Sequence, residues 1–221
     1  MAATDDWSEY HKRWENIWSN GLEPNQLFDI GGAHPILVQT LRTGDVNSTG
    51  RRALVPGCGR GYDVEEFARN GAVAVGLEIS ASAARAANDY IATTSLSDSQ
   101  KKLATVVEGD FFAGPTDGVG QVALGYDYTF FCAIRPDMRR QWAETWAQWI
   151  EPGGELLTMM FPCREEVEPS ADGPPFSVHP DAYRAVLEPA GFEVVRITDV
   201  PAEMSHKDRV GREKIGIFRR K

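Results

Sequence analysis

The stretch RALVPGCGRGYDVEEFARNGAVAVGLEIS, residues 52–80, decides the fold. Arg52–Pro56 is a short apolar strand that runs straight into the glycine-rich turn Gly57-Cys58-Gly59-Arg60-Gly61. Tyr62–Asn70 reads as a helix stopped at Gly71, and Ala72–Ile79 as a buried strand. Ser80–Ala92 is an alanine-rich helix capped by Ser80 or Ser82. A strand, a glycine turn, a helix and a second strand form the repeating unit of a parallel sheet.

The alternation continues downstream. The polar stretch 93–102 reads as a loop, and Ala104–Val107 as a strand entering EGDFF. Tyr126–Ala133 (YDYTFFCA) is a further buried strand. Pro136–Ile150 is a helix with Trp142, Trp146 and Trp149 on one side, packed as core. Glu155–Phe161 is a strand, the Pro/Gly-rich stretch 162–178 a long loop, and His179–Pro189 a helix. Phe192–Asp199 and Lys214–Arg219 are strands with no convincing helix between them, which predicts an antiparallel edge strand. Upstream, Trp7, Tyr10, Trp14, Ile17 and Trp18 recur at helical spacing between Asp6 and Asn20, and Gly21 ends the helix. Segment 21–33 is loop-like, and His34–Arg42 is a second short helix entered at Pro35. The expected architecture is α/β, with a mostly parallel seven-stranded sheet and helices on both faces. It forms a single domain over residues 1–221, with N-terminal helices in 1–45 and the α/β core in 50–221.

Composition restricts the function. The 221 residues are 42% hydrophobic and 25% charged, as in a folded globular chain. No apolar run is long enough for a membrane span, and MAATDDWSEY has no apolar signal core, so a cytoplasmic chain is expected. The net charge of -9 argues against nucleic acid as a partner. Residues 207–221 carry seven Lys/Arg against two Asp/Glu, a basic tail read as a solvated C-terminal strand. Cys58, Cys132 and Cys163 form no C-x-x-C pair, and His11, His34, His179 and His206 have no ligand spacing. Neither a disulfide framework nor a metal site is expected, and the histidines fit surface or capping roles.

In open α/β sheets, ligands bind beyond the C-terminal strand ends. Three features fall there. The glycine turn lets backbone approach a ligand, although by itself it serves equally as a tight strand–helix connection. Tyr62 stands where a dinucleotide fingerprint needs glycine, which speaks against NAD. Glu78 ends the second strand, where an acid takes adenosine ribose hydroxyls. Asp110 ends the third strand, placed to accept from adenine N6 with Phe111 and Phe112 beside the base, or else to cap a turn. Glycine turn, acid and acid on successive strand ends form the S-adenosyl-L-methionine pattern of class I methyltransferases.

LVPGCGRGYDV (54–64), GLEIS (76–80), EGDFF (108–112), YDYTFFCAIRPDMR (126–139), GPPFSV (173–178) and GREKIG (211–216) resemble the thiopurine S-methyltransferase family. The likeness is greatest to its halide/thiol methyltransferase branch. The resemblance implies a class I, Rossmann-like fold with an N-terminal helical lid. It also implies a monomeric enzyme that methylates small anions such as iodide, bromide, chloride, thiocyanate or hydrosulfide, or a larger organic thiol, releasing S-adenosyl-L-homocysteine. It assigns Trp14 and Trp18 to the lid and Gly57, Cys58 and Gly59 to the methionine end. Glu78 and Ile79 fall at the ribose, Asp110 and Phe111 at adenine. Tyr128 falls near the transfer centre and Arg139 at the substrate. The family's P-W-D-x-G stretch is Leu27-Phe28-Asp29-Ile30-Gly31 here, so Phe28 replaces a tryptophan on the cofactor. Cys58 is read as a small filler, not a nucleophile.

Overall fold

The computed structural model describes residues 3–116, 118–164 and 173–221, with side chains from residue 8 onward. The Trp7 side chain and residues 165–172 of the long loop therefore lie outside the described residues. Seven strands form one sheet: β1 (Arg52–Pro56), β2 (Val73–Glu78), β3 (Ala104–Glu108), β4 (Val122–Tyr128), β5 (Ile150–Met160), β6 (Phe192–Asp199) and β7 (Lys214–Arg220). Their order is β3-β2-β1-β4-β5-β7-β6. The pairings among β1 to β5 are parallel, and β7 runs antiparallel to both β5 and β6.

Side-chain alternation divides the core into two layers. Ala53, Val55 and Ala74 face the helices α2 (Pro35–Arg42), α3 (Tyr62–Arg69) and α4 (Ala81–Thr93). Leu54, Val75 and Leu77 face the opposite layer, which contains α6 (Arg139–Trp149) and α7 (Pro180–Leu187). Trp142, Trp146 and Trp149 are fully buried there. The N-terminal helix α1 (Ala3–Ser19) packs on α4, at the edge of the strand ends. Among the described residues no helix is long and apolar enough to cross a membrane.

Several elements differ from expectation. The fourth strand begins at Val122 and stops at Tyr128, short of the predicted Ala133. Asp127 causes the stop. Its Oδ1 accepts from Phe131 N at 3.1 Å and its Oδ2 from Trp142 Nε1 at 2.8 Å, folding the chain over at Thr129, whose φ is 61°. The polar stretch 93–102 contains a short helix, α5 (Asp98–Lys101), with a reciprocal Ser97–Gln100 capping box. The predicted 136–150 helix opens with a 3-10 turn, Pro136–Met138. The antiparallel strand is not at the edge: β7 is inserted between β5 and β6, and β6 is the edge. Nor is the basic C-terminal strand solvated, because Ile215–Phe218 are buried. Both faces of this strand are covered, and Arg219 and Arg220, which gave the misleading reading, lie at its end beyond the buried run.

Asp127→Ala leaves the buried Trp142 N–H without an acceptor and should cost about 1–3 kcal/mol of stability. Urea denaturation at neutral pH measures the loss; an unchanged midpoint would show that the turn holds without the carboxylate.

Candidate active site

The tips of β1, β2 and β4 open into a cavity of about 520 Å³, on the side where β1 and β4 diverge in chain order. It is lined by Trp14, Trp18, Phe28, Gly57, Cys58, Gly59, Glu78, Ile79, Asp110, Phe111 and Tyr128, so these sequence-selected positions share one space.

The glycine turn shapes its floor. Gly57 and Gly59 adopt φ of 57° and 53°, and a Cβ on Gly57 would come within 2.7 Å of the Phe130 ring. Glu78 fastens this turn to the β2 tip. Its Oε2 accepts from Gly59 N at 3.0 Å, and its Oε1 from Ile79 N at 2.9 Å and Ser80 N at 3.2 Å. Those donors occupy three of roughly four acceptor positions on the carboxylate, leaving about one for a ligand. Burial pushes its carboxyl up from the usual glutamate range, against the pull of these three N–H groups. Asp110 both lines the cavity and caps the following 3-10 turn, accepting from Phe112 N at 2.8 Å. Burial also raises the Cys58 thiol well above its ordinary value, keeping it protonated at neutral pH, as a filler would be.

The N-terminal segment forms one wall. Trp14 and Trp18 meet Phe28 at ring separations of 5.5 and 6.0 Å, and Arg60 lies 5.4 Å over the Trp18 ring. Asp29 pins this segment to the glycine turn by an ion pair with Arg60 at 3.0 Å and a hydrogen bond from Tyr62 Oη at 3.1 Å. Tyr10 Oη donates to Ala133 O at 2.9 Å, tying α1 to the loop after β4. Glu15 caps α4, accepting from Ser80 Oγ at 2.7 Å, Ser82 N at 3.1 Å and Ser82 Oγ at 2.5 Å.

Tyr128 lies at the far end within a buried polar network. Its hydroxyl donates to Glu213 Oε1 at 3.1 Å and accepts from Arg209 Nη1. Glu213 Oε2 also receives Ser205 Oγ and faces His34 Nε2 at 3.2 Å. Because His34 Nδ1 accepts from Ile36 N as the α2 cap, its ring proton is assigned to Nε2, which donates to Glu213. Burial works to raise the Glu213 carboxyl, but the donors His34, Ser205 and Tyr128 outweigh it and hold it below the usual range. The Arg209 guanidinium lies 4.3 Å over Phe161 and reaches the cavity.

Arg139 is a correction. It does not line the cavity. It lies 4.7 Å over the Phe131 ring and donates to Ser177 O at 3.2 Å. The nearby acids Asp137 and Glu144 pair with Arg135 and Arg140. Arg139 starts α6 on the face that packs into the interior, and that rotation takes it away from the strand tips. Arg209, overlooked in the basic C-terminal stretch, brings a positive charge to the cavity instead. The clustering of seven basic residues in 207–221 was the available signal. His34 has the capping role expected, but it is buried and not at the surface. No group of three or more His, Cys, Asp or Glu among the described residues could hold a metal ion.

A family model for thiopurine S-methyltransferase matches residues 10–221. "Probable thiol methyltransferase 2" of Arabidopsis thaliana is 36% identical over 207 residues, spanning 94% of this chain and 84% of its own. "Thiocyanate methyltransferase 1" of Brassica oleracea is 37% identical with the same coverage. Among solved structures, magnesium protoporphyrin IX methyltransferase from Synechocystis PCC 6803 with bound SAM superposes at a TM-score of 0.67 and 17% identity, with each chain fully covered. That likeness shows a common class I fold.

Glu15 accepts hydrogen bonds from Ser82 and Ser80, which hold its carboxyl below the ordinary glutamate range. The docking of α1 on α4 is therefore supported above that range and weakens as pH falls through the depressed pKa. Glu15→Gln should speed amide hydrogen exchange in α1 at pH 7 and leave the sheet unchanged; equal α1 protection in both proteins would contradict this.

Proposed function

The chain belongs to the thiopurine S-methyltransferase family, and on that premise we propose that it transfers the methyl group of S-adenosyl-L-methionine to small nucleophilic anions. Thiocyanate, hydrosulfide and the halides are the substrate class. The supporting observation is one cavity that unites a glycine turn, two strand-end carboxylates and an aromatic wall, with Arg209 beside Tyr128 at its far end.

The residues present fit the cofactor. The left-handed glycines leave room that a Cβ would fill, and the buried Glu78 keeps an acceptor position for a ribose hydroxyl. Asp110 and Phe111 suit the adenine edge, with Ile79 beside the ribose. When bound, the cofactor supplies a methyl group already activated on a sulfonium. The protein then has to align and desolvate. Alignment of reacting groups accounts for about 7–11 kcal/mol of barrier reduction. Trp14, Trp18, Phe28 and Tyr128 present ring faces, and cation–π attraction to a desolvated cation is about 2 kcal/mol. Arg209, steadied by Tyr128 and the Phe161 ring, offers positive charge to an anionic nucleophile. Such anions arrive ionised, so no general base is required. Arg139 positions the 129–135 loop through Phe131, away from the nucleophile.

The proposal extends to a single-domain cytoplasmic monomer that acts without nucleic acid. The net charge of -9 supports the absence of nucleic acid, and the one continuous seven-stranded sheet supports the single domain.

The decisive experiment is a headspace assay with S-adenosyl-L-methionine and a panel of iodide, bromide, chloride, thiocyanate and hydrosulfide, with an aryl thiol in competition. Methylated anions at higher kcat/KM than the aryl thiol are expected; preference for the aryl thiol would move the assignment to larger organic thiols. Arg209→Ala should raise the anion KM about tenfold, matching the loss of one charged contact of about 1.5 kcal/mol, while Arg139→Ala leaves it unchanged. Glu78→Ala should weaken S-adenosyl-L-homocysteine binding by about 1.5–3 kcal/mol in calorimetry. Unaltered affinity would remove Glu78 from the cofactor site.

A further inference from the structure

The cavity holds a further carboxylate behind the glycine turn. Asp63 is the second residue of α3, directly behind the glycine turn, and it lines the cavity. Its Oδ1 is shut off from solvent and has no hydrogen-bond partner. Burial pushes its carboxyl up to about 7, the Glu66 carboxylate on the same helix adds to the rise, and the His34 backbone N–H pulls against it.

Among the described residues, no cation acts on it. From β4 come the Tyr126 hydroxyl, also buried and without a partner, and the Tyr128 hydroxyl, which Glu213 and Arg209 already engage. From the glycine turn comes the protonated Cys58 thiol. A carboxylate held away from water with no positive partner is unfavourable by itself. The arrangement becomes favourable when a ligand brings the missing charge.

We propose that Asp63 is the receptor for the α-ammonium group of the cofactor, its free Oδ1 accepting from the ammonium at the amino-acid end. This rests on the cofactor reading above and adds a specificity determinant to it. The site distinguishes ligands with an intact amino-acid end from nucleosides without one. Proton balance follows directly. Below pH 7 the empty site holds a neutral carboxyl, so binding of the ammonium form releases that proton, and affinity falls as pH drops through 7.

The test is calorimetric, with two probes: S-adenosyl-L-homocysteine, which carries the ammonium, and 5′-methylthioadenosine, which does not. The wild-type protein should bind S-adenosyl-L-homocysteine about 20-fold more tightly at pH 7.5 than at pH 5.5. At pH 6 its binding heat should vary with buffer ionisation enthalpy, reporting proton release. Asp63→Asn should weaken that ligand about tenfold or more at pH 7.5, flatten its pH dependence towards the residue left by Glu78, and leave 5′-methylthioadenosine affinity unchanged. The nucleoside arm also checks the fold, and Asp63→Ser is read in the same way should the Asn variant not fold. Equal S-adenosyl-L-homocysteine affinity in variant and wild type overturns the assignment. So does an equal loss for both ligands, which would mark Asp63 as structural. Wild-type protein that binds neither ligand overturns the cofactor reading itself, and this assignment with it.

Discussion

The Glu78 carboxylate grips the backbone of the glycine turn, and the rest of the site depends on that contact. A turn with left-handed glycines is conformationally free at those positions, so its shape must be fixed by contacts from outside. Gly59 N–H and the N–H groups of Ile79 and Ser80 converge on one buried carboxylate, which joins the β1 tip to the β2 tip. The same carboxylate faces the cavity. One group therefore sets the turn and presents an acceptor to a ligand, and the aromatic wall, Asp110 and Tyr128 are arranged around the space that results.

The N-terminal segment is attached to this frame by polar contacts at its two ends. Asp29 reaches Arg60 and Tyr62 at the turn, and Glu15 reaches Ser80 and Ser82 at the start of α4. The Trp14, Trp18 and Phe28 rings line the cavity, and Trp18 and Phe28 belong to a small cluster separate from the sheet's two core layers. The wall is thus held by charged contacts and by a small buried cluster of its own, Trp18 and Leu22 against Ala83 of α4.

Much of this was legible in the chain. The glycine turn is visible because positive-φ backbone favours one residue type, and Glu78 because its strand end is read directly from an apolar run. The two tryptophans at helical spacing marked α1. What escaped reading was set by contacts distant in sequence. Asp127 ends β4 by binding Phe131 and Trp142, and a run such as YDYTFFCA shows only its apolarity. Arg139 and Arg209 look alike as letters. Helix rotation sends the first into the interior, and the return of the chain past Phe161 brings the second to the cavity. The α5 helix was a missed local signal, since Ser97 and Gln100 stand at capping-box spacing.

The position of β7 has a temporal consequence. Chains emerge from the ribosome amino end first, and domains begin to fold as they emerge. β1 to β5 can assemble in parallel register early, but β6 has β7 as its sheet neighbour and must wait, exposed, until residues 214–220 follow it. Arg209 and Glu213 emerge directly ahead of β7. The nascent protein therefore passes through a stage with the Glu78 side of the cavity shaped and the Arg209 side still missing, so the cavity is completed only after the sheet's central strands are in place.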